Sequence, residues 1–130
     1  MADEASRDPA EFRVRARRLL EDVPGLIDRG EYDRAAYYVA EYVRLSLTAR
    51  ILEVTGGLVD SYSLVGLAAT LAEHDSAAKR LIEDPDTLVE LSRIERVFVV
   101  SRFGGGGFTE DETRRLYEFA RRALSPALGT

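Results

Sequence analysis

The 130-residue chain contains no cysteine, no tryptophan, no asparagine and no glutamine, and it has one methionine and one histidine. Without thiols it can form no disulfide, no thiolate zinc site and no cysteine nucleophile. Without side-chain amides it has none of the groups that read adenine edges in bidentate fashion. No apolar run approaches the roughly 20 residues that a bilayer-spanning helix requires. The opening MADEASRDPAEF is polar and acidic, where a signal peptide is basic and then apolar. A cytoplasmic protein that does not enter a membrane is therefore expected. Lysine is nearly absent too, Lys79 being the only one among 18 basic residues. Few thermolabile residue types beside 32% charged residues fit a thermophile, although arginine in place of lysine fits a GC-rich genome equally well.

What is present is globular. The hydrophobic fraction is 45%, and a chain of this length buries roughly two-thirds of its unfolded surface, so one domain over residues 1–130 is expected. Flexible tails are expected at 1–8 and 126–130. A net charge of −5 opposes indiscriminate binding to nucleic acid and leaves room only for a local basic groove.

Helical signals run the length of the chain. Asp8, Pro9 and Glu11 form a helix start, Phe12, Ala16, Leu19, Leu20 and Val23 keep a helical period, and Pro24-Gly25 is expected to end it. A second helix is expected from about Glu31 to Gly56-Gly57, with apolar stripes on two sides, which places it centrally among others. Asp60 or Ser61 is expected to cap a third, containing Leu64, Leu67, Ala68 and Leu71, and Ser76 a short fourth segment. Asp84-Pro85 starts another long helix, in which Val97 to Val100 alone would suit a strand but the continuing period favours helix. Thr109 and Glu112 make a capping box before a last stripe that runs to Pro126. The expected fold is all-α, an antiparallel up-and-down bundle of four to five helices.

Between the last two long helices lies VVSRFGGGGFTEDET. Its four glycines follow a helix rather than a strand, have no lysine, and match neither phosphate-loop pattern. Glu110, Asp111 and Glu112 fill the positive end of the next helix, where they would repel phosphate. The run reads as an inter-helix turn. Arg102 precedes it at the end of an apolar helix beside Phe103, and can offer a guanidinium to an anion or simply answer the helix dipole. Tyr37, Glu41 and Arg44 share one face of the long helix. They either line a cleft or dimer seam, or Glu41 and Arg44 form an ordinary intrahelical ion pair. Arg13, Arg15, Arg17 and Arg18 wrap around the first helix as a solvated surface, and the single His74 sits at a helix end, where it serves carbonyls rather than metal. No metal site, cofactor site or catalytic set is expected.

Three segments together resemble the HEPN family of small helical bundles, named for higher eukaryotes and prokaryotes: GEYDRAAYYVAEYVRLSLTARILEVTG (Gly30 to Gly56), YSLVGLAATL (Tyr62 to Leu71) and the helix ending in SRF (Ser101 to Phe103). The resemblance lies in a long helix introduced by Gly-x-Tyr-Asp, a short helix that often opens with histidine, and an arginine-bearing helix end. Nuclease members carry an arginine and a histidine separated by four to six residues. Here Arg102 matches the arginine, but Gly107, Phe108 and Thr109 occupy the histidine window. Tyr62 stands where many members have His, Thr48 where many have Lys, and Phe103 where Tyr is usual.

The resemblance implies a non-catalytic HEPN-like module. It would be a homodimer binding a nucleotide, or a minimal nucleotidyltransferase partner in a prokaryotic two-component or toxin–antitoxin system, with Arg102, Phe103, Tyr37, Glu41 and Arg44 at the ligand. Two alternatives stand beside it, a ribonuclease toxin with a rearranged site that takes RNA, and a helical assembly protein with no small ligand.

Overall fold

The computed structural model of the chain describes residues 8–129, and there the all-α class is observed: every regular element among the described residues is helical. In chain order these are α1 (Pro9–Asp28), α2 (Tyr32–Thr55), α3 (Leu64–Ala72), a single 3₁₀ turn (Ser76–Ala78), α4 (Arg80–Glu83), α5 (Pro85–Arg102), α6 (Glu110–Phe119), a π turn (Ala120–Leu124) and α7 (Ser125–Leu128). None of these helices is long and apolar enough to cross a membrane. Of the expected N-terminal tail, residues 1–7 lie outside the described residues, and Asp8 is the cap of α1, its carboxylate accepting from Ala10 N at 2.9 Å.

The expectation that Pro24-Gly25 ends the first helix is corrected: α1 runs through Pro24 to Asp28. An interior proline costs about 3 kcal/mol. Continuing the helix past it buries Leu26 and Ile27, each 3% exposed, at about 1.5–3 kcal/mol apiece, and burial wins. The helix closes one turn later. Gly30 takes φ +76°, its N–H donates to Ile27 O at 2.9 Å, and Glu31 N donates to Leu26 O at 2.9 Å. That paired closure places a left-handed residue just past the helix end, a position suited to glycine. The turn folds α2 back on α1 in the most extensive contact of the fold.

α2 also touches α3, α5 and α6, and side chains from Ala35 to Leu52 are buried around much of its circumference. Apart from Val54, which is exposed, both apolar stripes are thus largely covered by the chain's own helices. α3 is capped by Ser63, not by Asp60 or Ser61: Gly66 N donates to Ser63 Oγ at 3.1 Å. The Glu95 carboxylate, reaching from α5, accepts from Val65 N at 3.0 Å, so a neighbouring helix shares in fixing where α3 begins. Asp75 rather than Ser76 caps the 3₁₀ turn. The starts at Asp84 and Thr109 are as expected, the latter a capping box in which Glu112 N donates to Thr109 Oγ1 at 3.1 Å.

Pro126 does not end the last helical run either. The π turn precedes it, and α7 carries on to Leu128, which is 1% exposed. A proline cannot donate to the carbonyl four residues back and its ring presses against it, a conflict that a widened turn relieves. The Tyr42 and Ser125 hydroxyls are hydrogen-bonded, and Ser125 Oγ also donates to Ala120 O at 3.2 Å. The segment expected as a C-terminal tail therefore contributes to the core at least as far as Leu128.

Candidate functional site

The spacings of four and three put Tyr37, Glu41 and Arg44 on one face of α2, as the sequence implies. The fold lays the C-terminal half of α5 and the strap between α2 and α3 against that face. Phe98 of α5 is the hinge of the arrangement. Its ring receives Tyr37 edge-on at 5.7 Å and Tyr62, from the strap, at 5.1 Å between centroids. Such T-shaped pairs contribute about 0.5–1.5 kcal/mol beyond burial. Tyr62 is stacked in turn by the Arg44 guanidinium, 4.7 Å from the ring centroid. A shallow cleft of about 260 Å³ opens over this cluster, lined by Tyr37, Tyr62, Phe98, Ser101 and Arg102.

The five residues expected at a ligand are not all brought together. Tyr37 and Arg102 line the cleft. Arg102 is exposed at the end of α5 and makes no hydrogen bond or ion pair with any described residue, so its five N–H donors face solvent. Glu41 and Arg44 are engaged with each other: Arg44 Nε donates to Glu41 Oε1 at 2.6 Å and Nη2 to Oε2 at 3.0 Å. Asp60 adds a longer contact of 3.7 Å to Arg44. The hydrogen bond to Glu41 raises the guanidinium's pKa above its ordinary value, so Arg44 works as a fixed positive buttress under Tyr62 and not as a free anion receptor. Phe103 is 80% exposed and makes none of the ring contacts. Tyr62 and Tyr37 are the rings beside Arg102.

The Tyr37 hydroxyl is held protonated. Burial is the main cause of its raised pKa, and the Glu41 charge adds to it. Thr48 is buried and donates to the Arg44 carbonyl at 2.8 Å, so it presents no polar group to the cleft. His74 is exposed just past α3.

The glycine run is a turn whose amides already hold an anion, and that anion is part of the chain. Gly107 N and Phe108 N donate to the two oxygens of the Asp33 carboxylate at 3.2 and 2.9 Å. A Cβ on Gly106 would lie 2.3 Å from Asp33 Oδ2, a separation no side chain tolerates. The neighbouring Tyr32 hydroxyl donates to Glu110 Oε1 at 3.2 Å. The Gly30-Glu31-Tyr32-Asp33 stretch thus has three local tasks: it closes α1, ties down the glycine turn and anchors the start of α6.

Sequence reasoning had no handle on Phe98 as the centre of the cluster, nor on Arg44 as the support of Tyr62. A helical wheel of α5 places Phe98 beside Arg102, but only the path of the strap brings Tyr62 to it. Among the described residues no group of His, Asp and Glu side chains is placed to hold a metal ion. Residues 10–128 match the model of the HEPN domain family. No curated protein and no solved structure matches the chain.

Proposed function

The chain belongs to the HEPN domain family, and from that premise we propose that it is a non-catalytic member, a homodimer whose Tyr37–Arg102 cleft takes a nucleotide. The observation that carries the reading is Arg102 itself: an unpaired guanidinium at a helix end, set beside two tyrosine rings, with no histidine among residues 103–109 to complete a nuclease pair. Tyr37 does not replace that histidine, because its hydroxyl keeps its proton at neutral pH. Arg102 would pair with phosphate while Tyr37 or Tyr62 stacks a base. Together these contribute a few kcal/mol, which corresponds to micromolar to millimolar affinity.

Apolar side chains left exposed support the dimer. The most exposed of those near the cleft are on α5, at its end and on the strap, where Val99 is 53% exposed, Phe103 80% and Tyr62 46%, whereas α2 leaves Tyr37 and Val54 only 37% and 36% exposed. A two-fold seam over this patch would bury them and bring two clefts together. A minimal nucleotidyltransferase is the partner that the family membership favours, in a two-component system of the toxin–antitoxin type. A neighbouring open reading frame for such an enzyme, if found, would support that pairing.

Calorimetric titration with ATP tests the cleft. Wild type is expected to bind weakly and salt-sensitively, and Arg102→Ala about tenfold more weakly. Equal binding by both overturns the assignment. RNA incubated with the wild type should stay intact, and cleavage that Arg102→Ala abolishes would make the protein a ribonuclease. Light scattering that gives a monomer at micromolar concentration rules out the dimer.

A further inference from the structure

On the flank of α5 turned away from this cleft, a cavity of about 350 Å³ opens between α5 and α6 beside the glycine turn. At ~100° per residue, Arg93, Arg96 and Val100 fall roughly opposite Phe98, so the two hollows share a helix and no residue. Arg93 and Arg96 of α5 and Arg115 of α6 line it, with Gly107 and Phe108 from the turn. Two of these three guanidiniums are fixed in place. One oxygen of Glu90 accepts from Arg93 Nη1 and from Arg115 Nη2, each at 2.6 Å, which ties the two helices together across the cavity's edge. Each guanidinium has five N–H donors, and this bridge takes one from each. Arg96 makes no hydrogen bond or ion pair with any described residue.

Three acids stand nearby, Glu90, Glu112 and Asp33, the last held by the amides of the cavity-lining Gly107 and Phe108. Glu90 is the bridge, and Glu112 also lines the cavity while its carboxylate accepts from Thr109 N at 3.4 Å. Each carboxylate is engaged within the chain, Glu90 by two guanidiniums and Asp33 and Glu112 by backbone amides, so free donors remain on three separate side chains and Arg96 keeps all of its own. A single carboxylate ligand needs one fork, a part Glu90 already plays. Donors spread over three side chains, in a space larger than one phosphate fills, match a chain of linked phosphates. The glycine amides take no share, because Asp33 holds them. Phe108, Val100 and Leu116 supply an apolar wall for an organic remainder.

We propose that this cavity is a second binding site, separate from the Tyr37–Arg102 cleft, for the diphosphate or triphosphate part of a small phosphorylated metabolite. Glu90 preorganises Arg93 and Arg115, which lowers the ordering cost of binding, and Arg96 is the arginine that the ligand newly pairs.

Sodium pyrophosphate is the probe, titrated calorimetrically at low salt into the full chain carrying Arg102→Ala, so that the cleft has no guanidinium. Binding is expected, and adding Arg96→Ala is expected to weaken it about tenfold. Adding Arg18→Ala instead, which removes an exposed and unpaired arginine of α1, should change it less than about twofold by screening alone. Arg96 is exposed and makes no hydrogen bond or ion pair with any described residue, so the variant should melt with its parent, and Arg115→Ala read in the same way provides a second variant. In the wild type, pyrophosphate should move the amide resonances of Gly106 and Gly107. Absence of pyrophosphate binding, its loss on Arg102→Ala alone, or equal weakening by Arg18→Ala overturns the proposal. Failure of ATP to distinguish Arg102→Ala from wild type bears only on the cleft.

Discussion

Replacing Gly106 by alanine should destabilise the protein, and replacing Asp33 first should reverse the sign. The new Cβ would sit 2.3 Å from Asp33 Oδ2 and 2.9 Å from its Cγ, and no other atom comes nearer than 3.3 Å. The carboxylate has to turn away, releasing the amides of Gly107 and Phe108. A buried bond to a charged acceptor is worth about 1.5–3 kcal/mol. These two are exposed, and screening brings them to roughly 0.5–1 kcal/mol each, a loss of about 1–2 kcal/mol. Alanine also stiffens the unfolded chain, which stabilises by about 0.4–1 kcal/mol. The net for Gly106→Ala is a loss of roughly 1 kcal/mol, or about 3–5 °C in Tm for a domain of this size. In an Asp33→Ala background the amides are already released and the space is free, so only the unfolded-state gain remains and Gly106→Ala should stabilise. Urea unfolding of the four proteins, with a common m value, measures the cycle. An equal cost for Gly106→Ala in both backgrounds would refute the assignment of Asp33 as the turn's internal anion.

Acid should unfold the protein through its carboxylate–arginine pairs. The Arg13 hydrogen bond lowers the Glu53 pKa below 4.5, and the Arg50 hydrogen bond lowers that of Asp75 below 3.8. A lowered folded pKa gives stability that is complete above the unfolded value and is lost as pH falls through the folded one. The urea midpoint should therefore hold from pH 7 to about 5 and drop below about 4.5, with a shallower drop in Glu53→Gln; a midpoint indifferent to acid would contradict these pairs. Leu128→Ala should cost about 2–4 kcal/mol, because the side chain is 1% exposed. A change below about 0.5 kcal/mol, as for an ordinary surface site, would return residues 126–130 to being a tail.

The sequence alone determined what depends on residues within a few positions of one another. Asp8-Pro9, Asp84-Pro85 and Thr109 with Glu112 start helices because a side-chain oxygen meets an amide two or three residues on, and the structure has all three starts. The helical period, summed over the length of α2 and α5, outweighed the strand-like Val97 to Val100. The pairing of Glu41 with Arg44 is set by helix geometry in the same way. Tertiary structure decided whatever required knowing which faces meet. Pro24 is a strong stop signal in isolation and was overridden by the burial of Leu26 and Ile27 beyond it. The start of α3 moved to Ser63 with a carboxylate from α5 at its amides. Asp33 sits in the first turn of α2, yet it holds a turn more than seventy positions away. Arg93 and Arg115 lie on different helices, and only the packing of those helices lets one oxygen of Glu90 join them. A local preference is worth about 1 kcal/mol and leaves its mark in neighbouring letters. A contact between distant segments exists only once the core has fixed their approach, and its partners carry no common signature in one sequence.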